Sequence, residues 1–295
     1  MTTKPVVVGV DGSEESLRAV EWAALEARRH SSPLRIVSAP GPVPRLHAYQ
    51  AAPEVIASAL RGIAARALAA AISRAEEVAP GVPVTTGLLS GPPALAVAAN
   101  ASDAAMLVVG ARGAGGFAAM ILGSVSRYVA SRAPCPVVVV REESMAVYRE
   151  IAVGIRDPQG TTEALAFAFE EAAVRGADLV AVHTWYVLPS TLHVPVAGEA
   201  VGLRSADPAR ISADAASQLT TALARWREKY PGVTVRQDVI HGHPGRVLAS
   251  YSARADLVVL GRHAHPEGAG PGIGSIQHAV LDHAHGPVAV IPSGN

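Results

Sequence analysis

The densest run of chemistry-bearing residue types in this 295-residue chain is GARGAGGFAAMILGS, residues 110–124. Gly110, Gly113, Gly115 and Gly116 permit positive-φ turns and a close approach of backbone N–H groups to a ligand. Gly123 and Ser124 then open a helical stretch, and the unpaired N–H groups of a first helical turn form an anion site. A phosphate held there gains about 1.5–3 kcal/mol per charge-assisted hydrogen bond, and Arg112 offers a further positive charge. Taken alone, the segment also reads as a glycine-rich surface loop. The second candidate is Asp11, within VGVDGS. An acid just after a strand accepts hydrogen bonds from ribose hydroxyls or a purine edge, as in dinucleotide folds. In isolation it serves equally well as a helix cap. The two segments together are more specific than either.

Both segments follow short β-branched runs. Strands are expected at Val6–Val10, Leu34–Ala39, Val84–Leu89, Met106–Gly110 and Val137–Val140, with helices over Glu14–His30, Glu54–Val78, Ala94–Asn100 and Ser124–Arg132. Ser13 is placed to cap the first helix, with Glu14 and Glu15 in its first turn and Arg28, Arg29 and His30 in its last, as the helix dipole favours. The strands are almost wholly apolar, which suits a parallel sheet covered by helices on both faces. The alternation predicts a doubly wound α/β fold. Ligands in such sheets sit beyond the strand carboxyl ends at the topological switch point, which singles out the residues after strands one and four.

The pattern occurs twice. PGVPV (80–84) recurs as PGVTV (231–235), MLVVG (106–110) as LVVLG (257–261) and CPVVVV (135–140) as GPVAVI (286–291), all offset by 151. Over residues 80–140, 18 of the 61 positions equal their partners. Upstream the offset is 145, carrying VVVGV (6–10) onto IAVGI (151–155). Two α/β domains are therefore expected, residues 1–145 and 146–295, joined near REESMAVY (141–148). In the second copy Asp11 aligns with Arg156, although Asp157 follows, and Gly113 aligns with Ala264. Gly261, Gly274 and Ser275 are retained, which leaves a possible weak phosphate site. Losses of about 1–3 kcal/mol at each altered position would move a micromolar site towards millimolar.

Composition removes several function classes. The 25 basic and 25 acidic residues cancel, which argues against holding nucleic acid through phosphate contacts. Only Lys4 and Lys229 are lysines and no Gly-Lys pair exists, so a Walker loop cannot be built. The lone cysteine, Cys135, excludes an internal disulfide and a cysteine-based zinc site and reads as a buried thiol. No secretory signal or membrane span is read from the sequence, since the longest uncharged stretch, Val78–Ser102, is broken by prolines and glycines. A soluble cytoplasmic protein is expected. Nine of the eleven histidines lie in the second copy; His241, His243, His263, His265, His283 and His285 read as exposed loop residues, with a metal site as the alternative. No nucleophile elbow, zinc-protease motif or general base with an orienting partner is visible, so no catalytic residue is assigned.

Gly110, Gly113, Gly123 and Ser124 fit the spacing Gly, two residues, Gly, nine residues, Gly-Ser. With Asp11 in VGVDGS and the final CPVVVV strand, this resembles the ATP-binding subclass of the universal stress protein family, over essentially the whole chain as a tandem pair of the actinobacterial type. The resemblance implies Rossmann-like domains of five parallel strands in the order 3-2-1-4-5. It implies that Asp11 and Ala39 border the adenosine while Gly110, Gly113, Gly123, Ser124 and Val125 cradle ribose and phosphates. It also implies ATP with Mg²⁺ as cofactor, dimerisation through the last-strand edge, here within the chain, and a homodimer with an unknown protein partner. The function expected is a nucleotide-dependent stress-response regulator in which ATP orders loop 111–123. A slow ATPase or adenylate-transferring enzyme, and a scaffold that binds no nucleotide, are the competing classes.

Overall fold

Val6–Val8, Leu107–Val109 and Val137–Val140 are runs of β-branched and other apolar residues, which favour extended backbone and fit strands buried on both faces. The computed structural model describes residues 3–41, 53–113, 122–141, 147–156, 161–185, 207–262 and 274–293. The first half contributes β1 (Val6–Gly9), α1 (Glu14–Arg29), β2 (Leu34–Ser38), α2 (Pro53–Val78), β3 (Val84–Leu88), α3 (Pro93–Asn100), β4 (Met106–Gly110), α4 (Ser124–Arg132) and β5 (Val137–Val140). The second half repeats the series as β6 (Glu150–Ile155), α5 (Thr162–Arg175), β7 (Asp178–Trp185), α6 (Pro208–Lys229), β8 (Val235–His241), α7 (Pro244–Tyr251), β9 (Leu257–Arg262), α8 (Ser275–His283) and β10 (Val288–Pro292).

The strands among the described residues join one sheet in the order β3-β2-β1-β4-β5-β10-β9-β6-β7-β8. Each half thus has its own strands in the order 3-2-1-4-5, parallel throughout. The halves meet where β5 pairs antiparallel with β10, Val137 opposite Val290, Val138 opposite Ala289 and Val139 opposite Val288. In each half the first and fourth strands are neighbours, and the chain reverses direction of winding between them. The almost wholly apolar character expected of the strands gives way at the two edges. In β3, Thr85, Thr86 and Leu88 are exposed, and β8 carries Arg236, Gln237 and Asp238. Outer strands lack a neighbour on one side, so polar side chains reach water there.

Ser13 caps α1 by accepting from the Ser16 N–H at 3.2 Å, with its acidic first turn and basic last turn where the dipole stabilises them. Helix α2 buries Ala64, Ala67, Ala71 and Ala75, a three-to-four spacing of small residues that lets it lie closely along α1. Its Glu54–Val78 span is long and apolar enough to cross a membrane by length and composition; here the alanine stripe joins the core beside α1 and the sheet.

The junction also holds a buried charge cluster. Glu26 on α1 and Glu171 on α5 sit at equivalent positions of the two halves, as do His30 and Arg175, and both carboxylates are buried. Arg175 places Nη2 2.9 Å from Glu26 Oε1 and Nε 3.1 Å from Glu171 Oε2. His30 Nε2 lies 3.0 Å from Glu171 Oε1, and Arg29 pairs with Glu26. Burial pushes the Glu26 carboxyl up to about 7, and the hydrogen bond to Glu171 raises the His30 imidazole. Glu171 lies below the ordinary carboxylate range because the His30 hydrogen bond and the Arg175 charge outweigh its burial.

Candidate functional site

Beyond the carboxyl ends of β1 and β4 lies a cleft of about 240 Å³. Asp11, Ala39, Gly110, Arg112, Gly113, Gly123, Ser124 and Val125 all line it. Residues about 110 positions apart in sequence thus share one wall. Ser16, Pro93, Val97, Val109 and Ser126 line it as well. Sequence reasoning passed over these because they look like ordinary helix and strand residues; Pro93 at the start of α3 was the one available signal.

Local chemistry explains the arrangement. Gly12, at φ +88°, takes a left-handed conformation that turns the chain between β1 and α1. Asp11 Oδ1 then accepts from the Ser13 N–H at 3.0 Å and the Ser13 hydroxyl at 2.6 Å. Gly110 lies against the first turn of α1, where a Cβ would come within 2.8 Å of the Glu15 carbonyl oxygen. A Cβ on Gly113 would fall 2.2 Å from Asp11 Oδ2. The glycine and the acid are therefore one steric unit. Helix α4 begins at Gly123, whose own N–H donates to Ala111 O at 2.8 Å, and no side chain caps its first turn. Ser126 Oγ ties that turn to β4 by donating to Gly110 O at 2.6 Å. Arg112 lines the cleft but pairs with Glu15 Oε1 at 3.0 Å. Its charge is thus shared with an acid expected only to serve the helix dipole. Gly115 and Gly116, in residues 114–121, lie outside the described residues.

The second half carries a corresponding cleft of about 640 Å³. Gly261, Gly274 and Ser275 line it as Gly110, Gly123 and Ser124 line the first, and Arg156 stands where Asp11 does. Gln277 Nε2 donates to Gly261 O at 2.7 Å, reproducing the bond made by Ser126. His183 lies 2.9 Å through Nδ1 from Ile155 O, matching Ser38 Oγ on Val10 O at 2.8 Å. It is half-buried at the end of β7. His241 lies against the Trp185 ring with centroids 4.7 Å apart, His243 lines the cleft, and His283 and His285 flank the end of α8. Among the described residues the grouping that brings three metal-competent side chains together is Glu26, His30 and Glu171 at the junction. Asp157, His263, Ala264 and His265 lie outside the described residues. Cys135 is buried, and burial pushes its thiol up to about 11, which keeps it protonated at neutral pH.

Two switch-point clefts on the two 3-2-1-4-5 halves of one sheet define the class: the chain belongs to the universal stress protein family, which it matches twice, over residues 2–141 and 147–292. Among individual relatives, universal stress protein Rv2005c of Mycobacterium tuberculosis strain H37Rv is 33% identical over 292 residues, 97% of this chain and 96% of its own. A universal stress protein of Mycolicibacterium smegmatis is 31% identical over 296 residues, again covering 97% and 96% of the two chains. A universal stress protein of solved structure from Archaeoglobus fulgidus superposes with a TM-score of 0.71 at 17% identity, over 100% of this chain and 98% of that one, a likeness of fold.

Proposed function

We propose that this protein binds ATP in its first cleft and acts as a nucleotide-dependent regulator of a stress response in the cytoplasm. The observation that carries the reading is the convergence of Asp11, Gly110, Gly113 and the uncapped first turn of α4 on one cleft. Backbone N–H groups of Ser124 and Val125 suit phosphate oxygens, and the missing Cβ atoms at Gly110 and Gly113 let the end of β4 close onto α1 and Asp11. Asp11, held by Ser13, suits ribose hydroxyls, and Ala39 an apolar base edge. Mg²⁺, when bound with the triphosphate, neutralises its charge using phosphate and water oxygens.

A binding role suits these residues better than a catalytic one. The titratable groups among the described lining residues are Asp11 and Arg112, one engaged by Ser13 and the other by Glu15. Nucleotide binding shifts the equilibrium between surfaces offered to a protein partner or to a second copy of the chain. Since β5 and β10 already occupy each other's edges, a homodimer would use another surface.

Mass spectrometry of the ligand released from purified protein tests the reading. Co-purified ATP supports it; AMP together with turnover supports an enzyme; an empty protein that ignores added ATP supports a scaffold. By calorimetry, Gly123→Val should abolish ATP binding, and unchanged affinity would refute the assigned cradle.

A further inference from the structure

The second half preserves the frame of the first cleft and exchanges its acid for a base. The two linings correspond position by position: Thr161 to Ser16, Thr184 to Ala39, Pro244 to Pro93, and Gln277 to Ser126. At the strand-one end, however, an arginine replaces the acid. The described lining of the second cleft contains Arg156 and His243 and no carboxylate. Its volume is about 640 Å³ against about 240 Å³. Trp185 is also in the lining, and its indole Nε1 is buried without a hydrogen-bond partner.

An acid in this position suits the hydroxyl donors of an unmodified ribose. An arginine in the same place offers a planar fork that matches a phosphate, and in dinucleotide folds an Arg near the ribose accommodates a ribose phosphate. The α8 N-terminus, capped by Gly274 and held to β9 through Gln277, keeps the same anion-facing turn as α4. We propose that the second cleft selects a nucleotide carrying a phosphate on its ribose as well as at its 5′ end. Arg156 holds the ribose phosphate, and the first turn of α8 with Ser275 holds the 5′ phosphate. This inference rests on reading the family cleft as a nucleotide site.

The test is calorimetry on the full chain with adenosine 3′,5′-bisphosphate, 5′-AMP and ATP as probes. With the first cleft disabled by Gly123→Val, or saturated with ATP should that variant not fold, the bisphosphate should bind one site at least about tenfold more tightly than 5′-AMP. Arg156→Gln should erase that preference while leaving ATP binding in the first cleft intact. Equal affinity for bisphosphate and 5′-AMP, or a preference indifferent to Arg156→Gln, overturns the inference. ATP bound by the first cleft with no bisphosphate site in the second defeats this inference alone. Failure of every probe in both clefts defeats the nucleotide reading and this one with it.

Discussion

The two halves keep the same backbone bonds with different side chains. Ser126 and Gln277 both donate to the last carbonyl region of the fourth strand, at Gly110 and Gly261. Ser38 and His183 both reach the end of the first strand, at Val10 and Ile155. Where a side chain only anchors the frame, any donor of suitable reach has been accepted. Where it meets the cleft, its chemistry has changed sign, from Asp11 to Arg156. The frame and the ligand surface have therefore varied under separate constraints.

The largest expected effect lies at the junction. Arg175 is nearly buried between two carboxylates, and its removal takes away the cation they share, leaving Glu26 with Arg29 and Glu171 with His30. Arg175→Ala should lower the unfolding free energy by about 3–5 kcal/mol, measured by urea denaturation. His30→Ala, at the equivalent position of the first half, should cost clearly less; equal losses would mean that the halves do not differ there. Next comes Gly113→Ala, which sets a methyl against Asp11. Strain of about 1–3 kcal/mol should weaken ATP at the first cleft by roughly ten- to hundredfold, and calorimetry with normal affinity would separate the glycine from the acid. Ser126→Ala and Gln277→Ala should each cost about 1 kcal/mol in thermal denaturation. A marked inequality would show that the matched bonds are not equivalent.

The smallest effect is a slope with pH. Glu26 and His30 both have raised folded values, so each contributes stability present below its unfolded pKa and lost as pH rises through the folded one. For Glu26 that window runs from its ordinary 4.5 to about 7; for His30 it opens above 6.5. Glu171 works oppositely, losing its contribution as acid protonates it below the ordinary range. Stability should thus decline from mildly acidic pH through neutrality, and His30→Ala should flatten the decline above pH 6.5. An unaltered slope would remove His30 from the account.

The cleft was legible because glycine spacing is a backbone property. Gly110, Gly113 and Gly123 are required by contacts with Glu15, Asp11 and Ala111, and the requirement leaves a fixed interval in the chain. Strand positions followed from apolar runs and the repeat, whereas strand order came from the family resemblance and the register from the structure alone. The junction was not legible. Glu26 and Glu171 each look like a helical surface acid until α1 and α5 face each other, although the offset of 145 already paired them. The edge strands were misread for a related reason: Thr85 and Asp238 fit an outer strand only once the sheet's limits are known. The pairing of Arg112 with Glu15 was not legible because the two are remote in sequence.

The pairing of β5 with β10 has a consequence for how the clefts were free to diverge. A homodimer joined by this edge would carry every substitution twice, so Arg in place of Asp would strike both sites together. Tethering the two copies in one chain fixes their pairing at an effective concentration independent of expression level. It also lets a single codon change alter one cleft alone. Asp11 and Arg156 facing the same kind of pocket in one molecule is an outcome that a symmetric assembly forbids.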